Sequence, residues 1–158
     1  ASNPSTHVGF TERMKISAEG YVTKPNHPAF QALAQSASNS NSGGYLDFTH
    51  TILNQGNHFS TANNRFIAPV DGVYHFHFHS FIDQANTTTG QIAFYKNGSW
   101  SWGGYEIRNY LTHRSTGYGP VMVVTATVGL AANDYVQVYT TVNLHANAGN
   151  YFGGHLIG

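Results

Sequence analysis

The 158-residue sequence contains no cysteine, which excludes disulfide staples and thiolate metal sites. Charge is scarce too. Asp, Glu, Lys and Arg make up 9% of the chain, about a third of the usual share. Seven basic and seven acidic residues cancel, so no bulk field draws the chain to phosphate backbones, and nucleic-acid binding is not expected. No apolar run reaches about 18 residues, so no membrane insertion is expected. No signal peptide is recognisable and residue 1 is Ala, which reads as a processed product or a piece of something longer. Catalytic constellations are missing as well: there is no G-x-S-x-G elbow and no glycine loop to cradle phosphate. With seven carboxylates in all, a paired acid and base is hard to place. Nothing in the spacing brings Asp83 to Glu106, and Asp47 and Asp134 read as turn residues. The chain is expected not to be an enzyme.

Aromatic and neutral polar residues take the place of charge. Ten Tyr, ten Phe and ten His stand among many Asn, Thr, Ser and Gly, and a chain this long buries roughly 70% of its unfolded surface. At the N-terminus, Phe10, Glu12, Met14 and Ile16 alternate with Thr11, Arg13 and Lys15, the period of a strand. Ala18-Glu19-Gly20 reads as a turn, and Tyr21-Val22-Thr23 resumes an extended run. A hairpin this small is marginal alone, so it calls for partner chains or the main domain. Pro25 and Pro28 bracket a linker, which divides the chain into a segment 1–24 and a domain 25–158.

Beyond the linker, strands are predicted at 30–34, 45–51, 65–68, 72–82, 91–96, 120–130, 135–142 and 151–157. Asn97-Gly98 is a strong hairpin signal, and 36–44 is a polar loop. Many short strands without a helical period predict an all-β sandwich. Within 72–82, Tyr74, Phe76 and Phe78 alternate with His75, His77 and His79. The aromatic face is expected in the core and the imidazole face outside it.

Phe48, Asn54, Phe59, Phe66, Gly72, Tyr74, Phe76 and Phe78 carry a specific spacing. It runs F, five residues, N, four residues, an aromatic, six residues, F, five residues, then G-x-Y-x-F-x-F. This resembles the signature of the complement C1q globular domain at every specified position. His27-Pro28-Ala29-Phe30 is similar to that family's opening strand, Asn54-Gln55-Gly56-Asn57 to its N-x-G-x turn, and Ala93 to Gly98 to its fourth long strand. Leu130 to Val136 resembles its L-x-x-G-D-x-V turn, with Asn133 in place of Gly. Tyr151 to Ile157 resembles its closing strand. The resemblance covers residues 28–158. It implies a ten-strand jelly-roll sandwich of the C1q and tumour necrosis factor type, assembled as a homotrimer and acting as a binding module. No Gly-X-Y collagen stem is present. Glu12-Arg13-Met14-Lys15-Ile16, a short turn and Gly20-Tyr21-Val22 resemble the segment that forms a trimeric β-shaft in bacteriophage tail fibres.

Together the resemblances imply a fibre tip: a shaft end at 1–24 carrying a C1q-like head, located on the virion and extracellular. Its partners would be two further copies, the upstream shaft and a host cell-surface polysaccharide. Three other readings remain: a secreted C1q-like lectin or ligand, a structural trimerisation cap, and a hydrolase acting on host glycan. The last usually needs more chain than this.

For ligand contact the candidates lie in 97–119: Trp100, Trp102, Tyr105, Arg108 and Arg114, with Tyr110, Tyr118 and His113 nearby. Aromatic faces and Arg forks dominate binding hot spots. Trp100 and Trp102 share a face if the stretch is extended. The alternative is that these rings pack in the core or between protomers. The loops at 86–89 and 143–150 are further candidates. Calcium, used by some C1q-like heads, needs clustered oxygens, and Asp83 with Asn86 is the candidate pair.

The resemblance also implies that the G-x-Y strand faces a threefold axis beside the closing strand, with His75, His77, Tyr151 and His155 at that axis. Two rings of three imidazoles from His75 and His77 would suit a transition metal, as His-x-His pairs do in other phage fibres. Imidazole alone does not select which metal. The alternative is stacked neutral imidazoles. Either way, burial and like charge should depress their pKa.

Overall fold

The computed structural model describes residues 12–34, 44–82, 88–113, 121–144 and 149–158. The elements in chain order are β1 (Lys15–Ile16), β2 (Val22–Thr23), β3 (Ala29–Ala34), β4 (Gly44–Tyr45), β5 (His50–Gln55), β6 (Phe59–Ser60) and β7 (Arg65–Ile67). They continue with β8 (Gly72–Phe81), β9 (Thr88–Lys96), β10 (Ser101–Trp102), β11 (Tyr105–His113), β12 (Val121–Leu130), β13 (Tyr135–Thr140) and β14 (Asn150–Leu156). β1 and β2 form a hairpin of their own. The rest is an all-β sandwich of a five-stranded sheet, β12-β8-β14-β3-β5, and a seven-stranded sheet, β10-β11-β9-β13-β7-β6, with β4 also on β13. The two layers are those of the expected jelly roll, but they hold twelve strands rather than ten, three of them, β4, β6 and β10, only two residues long.

The core lies between the sheets and is largely aromatic. On β8 the predicted alternation holds: Tyr74, Phe76 and Phe78 are fully buried, and His75, His77 and His79 are on the other face. Phe30 stacks on Phe59 and Phe66 at ring-centroid distances of 4.9 and 5.0 Å. Phe152 meets Phe30, Phe48, Phe59, Phe76 and Phe94 within 6.1 Å. Gly154 makes that packing feasible. A Cβ there would come 2.5 Å from Phe76 Cδ1 and 2.8 Å from the carbonyl of His75.

Turn chemistry explains the polar landmarks. Asn54 clamps its turn from both sides, donating to Phe59 O (2.9 Å) and accepting from Phe59 N (3.0 Å). Asn97 and Gly98 both have positive φ, 52° and 78°, the primed turn that suits a two-residue hairpin. Asn133 stands in the glycine position of its turn at φ 71°, a left-handed conformation that Asn tolerates better than most residues.

The structure corrects two expectations about the strands. The run 45–51 is not one strand. Tyr45 pairs with Tyr139 in one sheet, whereas His50 pairs with Leu33 in the other. The chain crosses between the sheets at 46–49, and Leu46 and Phe48 alternate inward because they plug the core on the way. Conversely, residues 101–113 form a hairpin, β10 and β11, turning at Gly103-Gly104, both at positive φ. The N-terminal hairpin forms as expected, but Met14, Ile16, Tyr21 and Val22 are all more than half exposed.

Candidate functional site

The two outer faces of the sandwich differ in chemistry. The five strands of the smaller sheet contain no Asp, Glu, Lys or Arg. Their outward residues form a histidine row with an apolar surround. In register, His75 lies between Thr127 on β12 and His155 on β14, His77 between Thr125 and Gly153, and His79 between Val123 and Tyr151. The rings of His75 and His155 are 5.7 Å apart, those of His75 and His77 6.4 Å, and His79 is 6.2 Å from Tyr151. His77 lies across Gly153, where a Cβ would come 2.5 Å from its ring. Tyr151 and His155 do share a face, but Tyr151 neighbours His79 rather than the His75–His77 pair.

Burial, then His75 and His155, lower the His77 pKa below its ordinary value; burial, then His75 and His27, lower that of His155. Among the described residues, no group of three or more His, Asp or Glu stands close enough to hold a metal ion. A metal at His75 and His77 would therefore need ligands from more than one chain. Val73, Phe81, Val121, Val123, Leu53 and Ile157 surround the row and are exposed. Among the described residues β12, ten residues long, has a strand partner on one side only. An uncharged edge of that length, met here by the Asn109 side chain at Val123 O, invites further pairing unless something covers it.

The opposite sheet carries the aromatic candidates and separates them. Trp100 lies in a bend before β10 and is 49% exposed. The Arg108 guanidinium stands 5.5 Å from its ring centre and 4.6 Å from that of Tyr110. Arg108 also pairs with Glu106 and donates to Gln91 Oε1 at 3.0 Å. Trp102 does not share this face. Because the chain bends at Trp100, strand alternation does not carry through, and Trp102 is half-buried against the core, its indole donating to Phe94 O at 3.0 Å. Tyr105 is exposed beside it, at the mouth of a cleft of about 1040 Å³ between β11 and β12 that Trp102 also lines. Asn109 spans that cleft by donating to Val123 O at 3.1 Å. Arg114, Tyr118, the Asp83–Asn86 calcium candidate and 145–148 of the second loop lie outside the described residues.

Four tyrosines that no local pattern marked join this surface. Tyr95 and Tyr139 stack at 4.6 Å, and Tyr45 meets both edge-on at 5.6 and 5.5 Å. Tyr135 lies beside Tyr45 and takes the Arg65 guanidinium on its face at 4.5 Å. Burial, then Tyr139 and Tyr45, raise the Tyr95 pKa, while nearby Arg108 opposes them. At the end of β9, burial pushes the Asp134 carboxyl up, but hydrogen bonds from Lys96, Asn97 and the Ala131 amide hold it below its ordinary value. Lys96 Nζ is 2.8 Å from that carboxylate.

Comparison with known proteins follows the same architecture. The C1q domain family matches residues 29–157. Among solved structures, the globular domain of zebrafish complement 1qA protein superposes with a TM-score of 0.65 at 19% identity, covering 84% of this chain and 98% of that one. Murine APRIL also reaches a TM-score of 0.65, at 13% identity, covering 83% of this chain and 99% of its own. At these identities the likeness to both structures is one of fold.

Proposed function

Because this chain belongs to the C1q domain family, whose members are generally trimeric ligand-binding modules, we propose that it is a non-enzymatic, homotrimeric binding head. The head, residues 25–158, ends a phage tail fibre on the virion and adheres to a host cell-surface glycan. Residues 1–24 are the end of the upstream shaft. The division of labour between the sheets carries this reading. One sheet is free of Asp, Glu, Lys and Arg and exposes apolar side chains around a histidine row, which suits burial against other copies. The other presents Arg108 against two exposed aromatic rings, Trp100 and Tyr110, the residue types that dominate binding hot spots. The hairpin exposes Met14, Ile16, Tyr21 and Val22, and neighbouring copies in a shaft would bury them.

The test is adsorption of the purified protein to a panel of bacterial strains. Trp100→Ala and Arg108→Ala are expected to weaken adsorption about tenfold, the loss of one hot-spot contact. The mass of the assembly should not change. Unaltered adsorption by both variants would move the ligand site elsewhere. No adsorption by the parent protein to any strain would favour the trimerisation cap, which the apolar sheet and exposed hairpin alone already explain.

A further inference from the structure

A row of tyrosines continues the face that carries Trp100 and Arg108. Tyr45 on β4, Tyr139 on β13, Tyr95 on β9 and Arg108 on β11 lie on four strands adjacent in the seven-stranded sheet. They form a row across the strands that ends at Trp100 and Tyr110. Three strand spacings make the row about 14 Å long. Ring-on-ring contacts hold the tyrosines in place, so little side-chain entropy is lost when a ligand settles on them. The one charged side chain within the row, Arg108, has an acidic partner, and the cations near its margins are Lys96, turned toward Trp102, and Arg65. Arg108 is paired with Glu106, and Lys96 with Asp134. Arg65, at the margin, lies against Tyr135. Tyr95 and Tyr139 cover one face of each other, and the Tyr45 hydroxyl is donated to Gly98 O. What the row offers is therefore the exposed ring of Tyr45, the edges of the stacked pair and the rings of Trp100 and Tyr110, surfaces that suit the C–H faces of pyranose rings.

We infer that this face binds an extended, uncharged polysaccharide chain laid across the strands from Trp100 to Tyr45, several sugars at a time, rather than a single terminal or acidic sugar. The inference rests on the glycan-binding reading above and adds length and charge to it.

The test uses an array of bacterial surface polysaccharides, neutral and acidic, each presented as a series from monosaccharide upward. Binding is read in 50 and 500 mM salt. The expected result is selection of a neutral polymer, with affinity rising as the chain lengthens beyond a disaccharide and little change with salt. Tyr45→Leu keeps bulk but removes the flat face; it should weaken binding of long chains about tenfold and leave the shortest binders unaffected. Tyr45→Phe keeps the face and should bind long chains like the parent. Tight binding of a monosaccharide, or Leu and Phe variants that bind alike, would overturn the extended footprint while leaving the Trp100–Arg108 site standing. Selection of an acidic polymer with binding lost in 500 mM salt would overturn the uncharged ligand. No binding to any member would overturn this inference and the glycan reading together.

Discussion

Below about pH 6.5 the proposed trimer is expected to lose melting temperature and come apart into 17.2 kDa chains. The folded pKa values of His77 and His155 are depressed, with burial as the largest cause and neighbouring imidazoles next. A depressed folded pKa means that the unfolded chain takes up the proton first. The stability is therefore whole above the ordinary histidine value and is lost as pH falls through the folded values. The groups around the row cannot offset the new charge. Thr125 and Thr127 face it from β12, and Gly153 and His155 from β14. His27 adds a further imidazole near His155. Stacking the same face from three copies would deepen both burial and like-charge repulsion. Melting temperature against pH, for the parent and His77→Leu, checks this. The variant should be less sensitive to acid. Parallel profiles would mean that His77 does not contribute to the acid sensitivity.

Phe152→Ala is expected to cost about 3–5 kcal/mol, the range for deleting a fully buried aromatic side chain. That is a large part of the stability of an ordinary domain, about 5–15 kcal/mol. Phe152 has no solvent exposure, and its ring joins residues from both sheets, so the cavity would open at the centre of the sandwich. Phe30 and Phe76 on one sheet and Phe94 on the other would all lose contact with it. Tyr105→Ala, at a site 78% exposed, should stay within about 0.5 kcal/mol. Denaturant midpoints at equal protein concentration separate the two, since unfolding would be coupled to dissociation. Matching midpoints would contradict the central placement of Phe152.

What could be read from the residues was whatever a single segment records about its own surroundings. The alternation of Tyr74, Phe76 and Phe78 with the histidines reports one buried and one open face, and β8 has both. Asn97-Gly98 and the Asn54 turn report backbone conformations that few other residues adopt. The aromatic spacing from Phe48 to Phe78 marks rings that meet in the core although they lie on different strands. The β10–β11 hairpin escaped because its strands are short or polar; Gly103-Gly104, between extended residues, was the available signal. The tyrosine row was not legible at all. Tyr45, Tyr95, Arg108 and Tyr139 become neighbours through strand order and register, and neither is written in local periodicity. The placement of Trp102 was open for a related reason. Its spacing from Trp100 implied a shared face only for an extended stretch; the bend at Trp100 breaks the alternation, and Trp102 takes the alternative of packing against the core.

Burial of the uncharged, histidine-bearing sheet between copies of the chain, which leaves the aromatic sheet to meet a ligand, requires a trimer. Sedimentation equilibrium of the purified protein at neutral pH and micromolar concentration should show one species of three times the chain mass, with no dissociation on dilution through that range. A single species of 17.2 kDa would contradict it.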